Sequence, residues 1–595
     1  VRKLRLPRQT IGSTPVGLLI PSMRLSTILF AITLFVLLLP WQQCAVNVDP
    51  IGSEKIANEL HASDKAGIQF RAHTGQDTFA VGATDPDVAA LTALYESTNG
   101  GNWTYSFHWL ETGLTHCRWY GVCCGFNYNG SAPSFPDWEN GNFIGSSCKL
   151  FGRVTALTLN SNALEGALPD AVGQLTHLVY LDLRGNGLIG SIPDTIYSIA
   201  DMKYVSFTQN NLSGSISPLI GNWQALTYFS VRANQLNGEI PTNLGTLSQL
   251  SVIDAQQNAL TGTIPSSVGN LLALKKFSVA LNALTGSIPP EFGLIPGLEV
   301  LYLFANLLEG SIPEQLSNCQ QLQQLALQHN QLGGTVPSQL GTLQKLEELY
   351  LNDNLLVGTI PAGILTFPLM KSVELYHNQF SGPVPAVIPG PLVEEVDLSG
   401  NKLEGSFPYS LFAQNTSIQR LYLQDNNFDG TIPSHDFVGS LKINTVNLAN
   451  NRFSGSVPGT IGNMLLLEEL DLSNNRFTGG IPASLLRNTH LRTLKLQNNS
   501  LDSDLPPETL PNYKACTDFG FALHTIDISF NKFSGSLSFF LYHSNLNTLI
   551  ARNNALNGIV DLQMYEAVRV DGDGPCQFQR VNNLLTLDVA NNALT

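Results

Sequence analysis

Leu298-Glu299-Val300-Leu301-Tyr302-Leu303-Phe304-Ala305-Asn306-Leu307-Leu308-Glu309-Gly310-Ser311-Ile312-Pro313 is one turn of a frame that runs through most of the chain. The frame is L-x-x-L-x-L-x-x-N-x-L, usually followed by G-x-I-P. Its asparagine returns every 24 residues at Asn162, Asn186, Asn210, Asn234, Asn258, Asn282, Asn306, Asn330, Asn354 and Asn378. It then drifts slightly through Asn401, Asn426, Asn451, Asn475 and Asn499, and resumes at Asn531, Asn554 and Asn592. A fixed period of this kind marks a stacked solenoid. The L-x-L step alternates apolar and polar, so each unit supplies a short strand with one face inward. One unit cannot bury its leucines alone, whereas stacked units form a continuous apolar column and one long parallel sheet. Eighteen strands at about 4.8 Å spacing make that sheet on the order of 85 Å long. The asparagine amide both donates and accepts, so a stacked row can satisfy the backbone of the turn from coil to coil. Glycine allows the tight turn after it, and proline, with φ fixed and no N–H, favours an extended segment. The asparagines are therefore architecture. Cys319 and Trp223 fall at apolar positions of the frame and read as core, Cys319 as a buried free thiol.

From residue 154 to 595 the pattern resembles the plant-specific subclass of leucine-rich repeats, which forms the ectodomains of plant receptor-like kinases and receptor-like proteins and also the polygalacturonase inhibitors. The segment before it reinforces the likeness. Cys117-Arg118-Trp119-Tyr120-Gly121-Val122-Cys123-Cys124 is similar to the C-x-W-x-G-V-x-C of that family's N-terminal caps. Leu91, Leu94 and Tyr95, with Asn99-Gly100-Gly101-Asn102-Trp103, resemble caps from oomycete, algal and protist relatives. The cap departs from the family in an insertion from Phe126 to Cys148. The resemblance implies an α/β solenoid: a curved superhelix with a concave parallel sheet, about 18 repeats of about 24 residues, and a disulfide-bonded N-terminal cap. It also implies a Cys117–Cys124 disulfide, a peptide or protein ligand on the concave face, and a co-receptor as a further partner.

The ends and cysteines speak for the extracellular side. Arg24 precedes an apolar run, Leu25 to Leu39, that is too short for a ~20-residue span and suits a secretory h-region. Residues 23–45 read as a signal peptide or signal anchor, 1–22 as an over-read leader, 46–84 as a flexible leader, 85–153 as the cap and 154–595 as the repeats. Asp85 caps a short helix with Pro86 in its first turn and Val88, Leu91 and Leu94 on one face. Trp103, Trp109, Trp119 and Trp138 cover the first coil. Insertions near 502–522 and 560–582 interrupt the period, and the chain stops inside a repeat, so a further segment is expected after Thr595. Membrane attachment then comes from that segment or from an uncleaved N-terminal anchor. Apart from Cys44 and Cys319, six cysteines remain, an even number that reads as disulfides. Cys123–Cys148 follows by elimination, and Cys516–Cys576 would brace the two insertions. Zinc is the alternative for the first four, with poor ligand spacing at Cys123 and Cys124. Asn102, Asn129, Asn211, Asn415 and Asn498 lie in glycosylation sequons.

Binding residues are sought between the inward leucines. Tyr180, Tyr204 and Tyr228 share one column and are expected to stack. Tyr302, Phe304, His329, Tyr350, Tyr376, His377 and Tyr422 form an aromatic group that buries area at little entropic cost. Glu348, Asp353, Glu374, Glu395, Asp397, Asp425, Glu469 and Asp471 stand against Arg420, which favours a basic peptide or protein. The formal charge of −15 argues against nucleic acid. No cofactor or metal is expected. Asp571-Gly572-Asp573-Gly574 lacks the other ligands of a calcium loop. Asp518-Phe519-Gly520 lacks every companion motif of a kinase, so catalysis would require a kinase beyond Thr595. The expected role is a secreted or cell-surface recognition ectodomain, part of a receptor-like protein. The alternatives are a secreted inhibitor of a wall-degrading enzyme and a membrane-anchored surface or adhesion antigen.

Overall fold

The computed structural model describes residues 85–594 except 112–113, 126–151, 413–416, 435–436, 438–441, 506–521, 538–539, 541–544, 559–564, 569–576 and 581–583. The signal and leader segments, Trp138, Cys148, Cys516, Cys576, Asn129, Asn415, Asp518-Phe519-Gly520 and Asp571-Gly572-Asp573-Gly574 lie outside the described residues.

Helix α1 (Pro86–Ser97) starts where Asp85 accepts a hydrogen bond from the Asp87 amide at 3.0 Å. It buries Ala90, Leu91 and Leu94. Strand β1 (Val122–Cys124) pairs antiparallel with β2 (Val154–Thr158), the strand of the first coil. Beyond β2 every strand of the main sheet runs parallel to its neighbour, to a total of 19. The register is fixed by the period. Val300, Leu301 and Tyr302 lie beside Gln324, Leu325 and Ala326, which lie beside Glu348, Leu349 and Tyr350. The middle leucine of each trio is buried, and its neighbours stand half-buried on the outer face of the sheet except the small Ala326, which is buried. The x positions therefore form columns running from coil to coil.

The asparagine row works as the sequence suggests. Asn306 is buried, and its Nδ2 donates to Val279 O and Leu303 O, both at 3.1 Å. Its Oδ1 accepts from the Leu284 amide at 3.0 Å. One amide thus ties two coils, and the same pattern recurs at Asn330 and Asn354. Pro313 is extended, with φ −67° and ψ 130°, and a short helical turn, Glu314–Asn318, follows it. Cys319 and Trp223 are both buried and donate to carbonyls one coil back, Phe292 O and Ile196 O, each at 3.3 Å. Burial pushes the Cys319 thiol up to about 11.

Two features add to the expected single sheet. Short second sheets form along the residues after the ladder asparagines, such as Glu165–Ala167 with Gly187–Gly190 and Asn211–Leu212. Inside the second insertion, Tyr565–Val568 and Gln577–Arg580 pair as an antiparallel ribbon. Gly358, in the short strand Val357–Gly358, shows why the short sheets need glycine. Its φ is +82°, and a Cβ there would stand 2.8 Å from Thr335 Cγ2 of the preceding coil.

The cap closes the apolar column. Trp103 and Trp109 meet edge-on at 4.8 Å, and Trp109 and Trp119 lie 5.0 Å apart. A disulfide joins Cys117 to Cys124, with Cα atoms 5.5 Å apart, and Cys123 is also disulfide-bonded. His116, Cys117 and Cys124 lie close enough to suggest a metal, but the two sulfurs are bonded to each other and offer no thiolate. The cap is also clamped by an ion pair that is buried at its carboxylate and partly exposed at Arg153. The fully buried Asp87 carboxylate accepts from Arg153 Nε and Nη2 at 2.9 and 2.7 Å and from the Val154 amide at 2.8 Å.

Candidate ligand-binding face

Strand register brings the candidate residues onto one face over successive coils. Tyr350 lies beside Glu374, Glu374 beside Asp397, and Asp397 beside Tyr422. Glu348, Ser372, Glu395 and Arg420 form the parallel column two residues earlier. From Tyr302 to Tyr422 the face covers five coil-to-coil steps, roughly 24 Å. Tyr302 and Phe304 meet edge-on at 6.1 Å, and the Tyr302 hydroxyl donates to Gln324 Oε1. Tyr376 meets His377 edge-on at 5.2 Å.

The charges on this face divide into two zones. Arg420 grips Glu395 with two hydrogen bonds, at 2.9 and 2.6 Å, and Lys495 lies 3.4 Å from both Glu469 and Asp471. The expectation that Arg420 alone opposes the acidic stripe is thereby corrected: Lys495, in the next coil, neutralises its C-terminal part. Glu348, Glu374 and Asp397 make no ion pair within 4.0 Å among the described residues. Burial raises the Glu374 carboxyl above its usual range, with Glu395, Asp397 and Glu348 adding repulsion against a hydrogen bond from Ser372. Burial also raises Asp397, with Glu395 adding to it. The Tyr302 and Tyr350 phenols are pushed up to about 12 by burial and then by Glu348. Tyr376 and Tyr422 are raised for the same first reason.

A histidine–aspartate–histidine row borders the tyrosines. His377 Nδ1 lies 2.9 Å from Asp353 Oδ1, and His329 Nδ1 lies 3.3 Å from Asp353 Oδ2. Asn352 Nδ2 donates to the same carboxylate at 2.8 Å. Sequence reasoning named these residues but missed their pairing. The signal was available, since His329, Asp353 and His377 stand 24 residues apart. Burial alone would raise Asp353, but hydrogen bonds from His377 and Asn352 and the two imidazoles leave it lowered. The bond to Asp353 raises His377 against the effect of burial. A raised histidine stabilises fully below its unfolded value and loses that contribution as pH climbs through its folded value. A lowered aspartate stabilises fully above its unfolded value and loses it as pH falls. The pairing of Asp353 with His377 is therefore strongest between about pH 4 and 6.5. Accordingly, His377→Gln should lower the thermal midpoint more at pH 5.5 than at pH 8. A midpoint difference that does not vary with pH would contradict the assignment.

Tyr180, Tyr204 and Tyr228 stack instead of opening to a ligand, with centroids 4.2 and 4.4 Å apart and planes within 9° and 8°. Tyr180 and Tyr204 are buried with Cys123 and Ala156. They stiffen the first coils against the cap.

The Leucine Rich Repeat family model matches residues 177–199, 442–464, 466–488 and 490–513. No curated protein matches the chain in sequence. Among solved structures, the chain is similar to the plant peptide hormone receptor RGFR1 in complex with RGF2. The identity is 27% and the TM-score 0.63, over 76% of each chain. It is also similar to the ectodomain of the Arabidopsis receptor kinase HAESA in complex with an N-terminally extended IDA peptide hormone. There the identity is 25% and the TM-score 0.58, over 85% of this chain and 86% of that one. HAESA in complex with IDA and the co-receptor SERK1 matches at 25% identity and TM-score 0.54, over 86% of each chain. The likeness to receptor ectodomains holding peptides supports a ligand-binding role, and nothing among the described residues points to catalysis. No helix among them is long and apolar enough to cross a membrane.

Proposed function

We propose that this chain of leucine-rich repeats is the extracellular recognition part of a receptor-like protein, binding an extended peptide with basic side chains between Tyr302 and Tyr422. The observation that carries the proposal is the group Glu348, Glu374 and Asp397. These carboxyls stand on three successive coils without an ion pair among the described residues, beside the half-buried Tyr350, Tyr376 and Tyr422. Carboxylates held partly out of water gain from a cation, and tyrosine faces add attraction for guanidinium or ammonium. Peptide ligands in the RGFR1 and HAESA complexes support the ligand class, and SERK1 in the HAESA complex supports a co-receptor. No catalytic step is assigned to the chain.

The test uses a short peptide carrying two arginines and a matched peptide carrying two glutamates. The basic peptide should bind preferentially and weaken with added salt. Tyr302→Ala/Tyr350→Ala/Tyr376→Ala should weaken it by about tenfold or more, as should Glu374→Gln/Asp397→Asn. Unchanged affinity in variants with intact folding would remove the proposal.

A further inference from the structure

Each ladder asparagine is preceded by a residue on the outer face, most often with positive φ. The φ values at His329, Asp353 and His377 are 56°, 52° and 49°, and those at Asn450, Asn474 and Asn498 are 56°, 54° and 56°. These residues form a single row whose side chains link coil to coil. Asn450 Nδ2 donates to Asp425 Oδ1 at 3.0 Å, and Asn498 Nδ2 donates to Asn474 Oδ1 at 2.7 Å. Asn498 therefore stands in the same row as the histidines of the candidate face, further along the sheet. Asn450, Asn474, Asn498, Asn553 and Asn591 all occupy this row, but only Asn498 has serine or threonine two residues later, at Ser500. It is exposed, and one amide hydrogen suffices for its bond to Asn474. The other described sequons lie elsewhere: Asn102 in the cap and Asn211 at the start of a short second-sheet strand.

We propose that Asn498 carries an N-linked glycan that stands on the outer face of the sheet and marks where the ligand footprint stops. The inference rests on the extracellular reading given above. Transfer joins Asn498 Nδ2 to the anomeric carbon of a lipid-diphosphate-linked oligosaccharide. The bond from that carbon to phosphate oxygen breaks, the lipid diphosphate leaves, and the Nδ2 proton passes to a base of the transferase. The attached sugar is bulky and strongly hydrated. Asn498 lies three coils past Tyr422, about 14 Å along the sheet. The two strand columns beside it offer no large anchor, and in its own row the next residue, the exposed Phe530, has Arg552 over its ring at 5.2 Å. Thr493, Thr525, Thr548 and Thr586 lie in register in one, and Lys495, Asp527, Ile550 and Asp588 in the other. Aromatic anchors in these columns stop at Tyr422, before the glycan begins.

The full chain is expressed in eukaryotic cells twice, with and without an added secretory leader. Glycans are then released by amide hydrolysis in heavy-oxygen water, and the labelled aspartates left at the glycosylated asparagines are located by mass spectrometry. With the leader, Asn498 should be marked, and Ser500→Ala or Asn498→Gln should lose that mark alone. Marking of Asn211 with Asn498 bare would overturn the inference, as would no mark at either. Glycans present only with the added leader would sink the extracellular reading and leave the Asn498 site standing. For the boundary, a cysteine at Thr525→Cys should react with a bulky maleimide roughly threefold faster or more once Ser500→Ala removes the glycan. Equal rates would show that the glycan does not cover this face.

Discussion

Asn306→Ala is expected to destabilise its two coils by about 3 kcal/mol, although the residue touches no ligand. The substitution leaves the Leu284 amide without its acceptor and takes one of two donors from Val279 O and from Leu303 O, which keep Asn282 Nδ2 and Asn330 Nδ2. The unpaired amide costs on the order of 1–3 kcal/mol, and each of the two lost carbonyl bonds about 0.5–1.5 kcal/mol. Because coils contact only their neighbours, the loss should be local. Amide exchange at Leu284 should accelerate strongly while exchange near Asn186 stays slow. Asn306→Asp should be at least as harmful, since it places a carboxylate against carbonyl oxygens. Unaltered protection at Leu284 would show that the amide is not what ties the coils.

Arg153→Met is expected to cost about 2 kcal/mol and to act on the cap. Breaking a fully buried pair costs about 3–5 kcal/mol, and the partial exposure of Arg153 reduces this. The variant leaves the Asp87 carboxylate buried with only the Val154 amide beside it. Asp87→Ser/Arg153→Met should recover part of the loss, because it removes the unpaired charge as well. Tryptophan fluorescence reports the cap directly, since Trp103, Trp109 and Trp119 pack together there. If the single variant unfolds its cap at the wild-type midpoint, the pair does not clamp helix α1 to the first coil.

The period made most of the fold readable because it acts at every scale. The same residues set the strand, its register, the apolar column and the polar row beneath the turn. The cap helix was readable from Asp85 and Pro86 for a similarly local reason. The Asp87–Arg153 pair was not, because the residues lie 66 positions apart and neither belongs to the repeat. The short second sheets were missed because G-x-I-P was taken only as extended chain, without asking which neighbouring segment it would meet. At the candidate face, register placed the columns but not the charge balance. Lys495 sits in the coil after the acidic stripe, and only the folded geometry brings it to Glu469 and Asp471. The pairing of His329 and His377 with Asp353 depended on side-chain reach across coils, which a column reading does not supply.

The asparagine row also bears on how such a chain can change length over evolutionary time. Asn306 and Asn330 each donate to a carbonyl 27 residues earlier and accept from an amide 22 residues earlier. Both offsets lie between one coil and the next, so they survive when a whole period is duplicated or excised. Gene segments encoding one coil are therefore interchangeable units for recombination, and extra residues are tolerated away from the seam: Asn531 makes the same two bonds across a longer coil, to Leu496 O and from the Leu501 amide. Growth by whole units lengthens the face while every column continues, which lets a lineage extend or shorten its recognition surface without redesigning the scaffold.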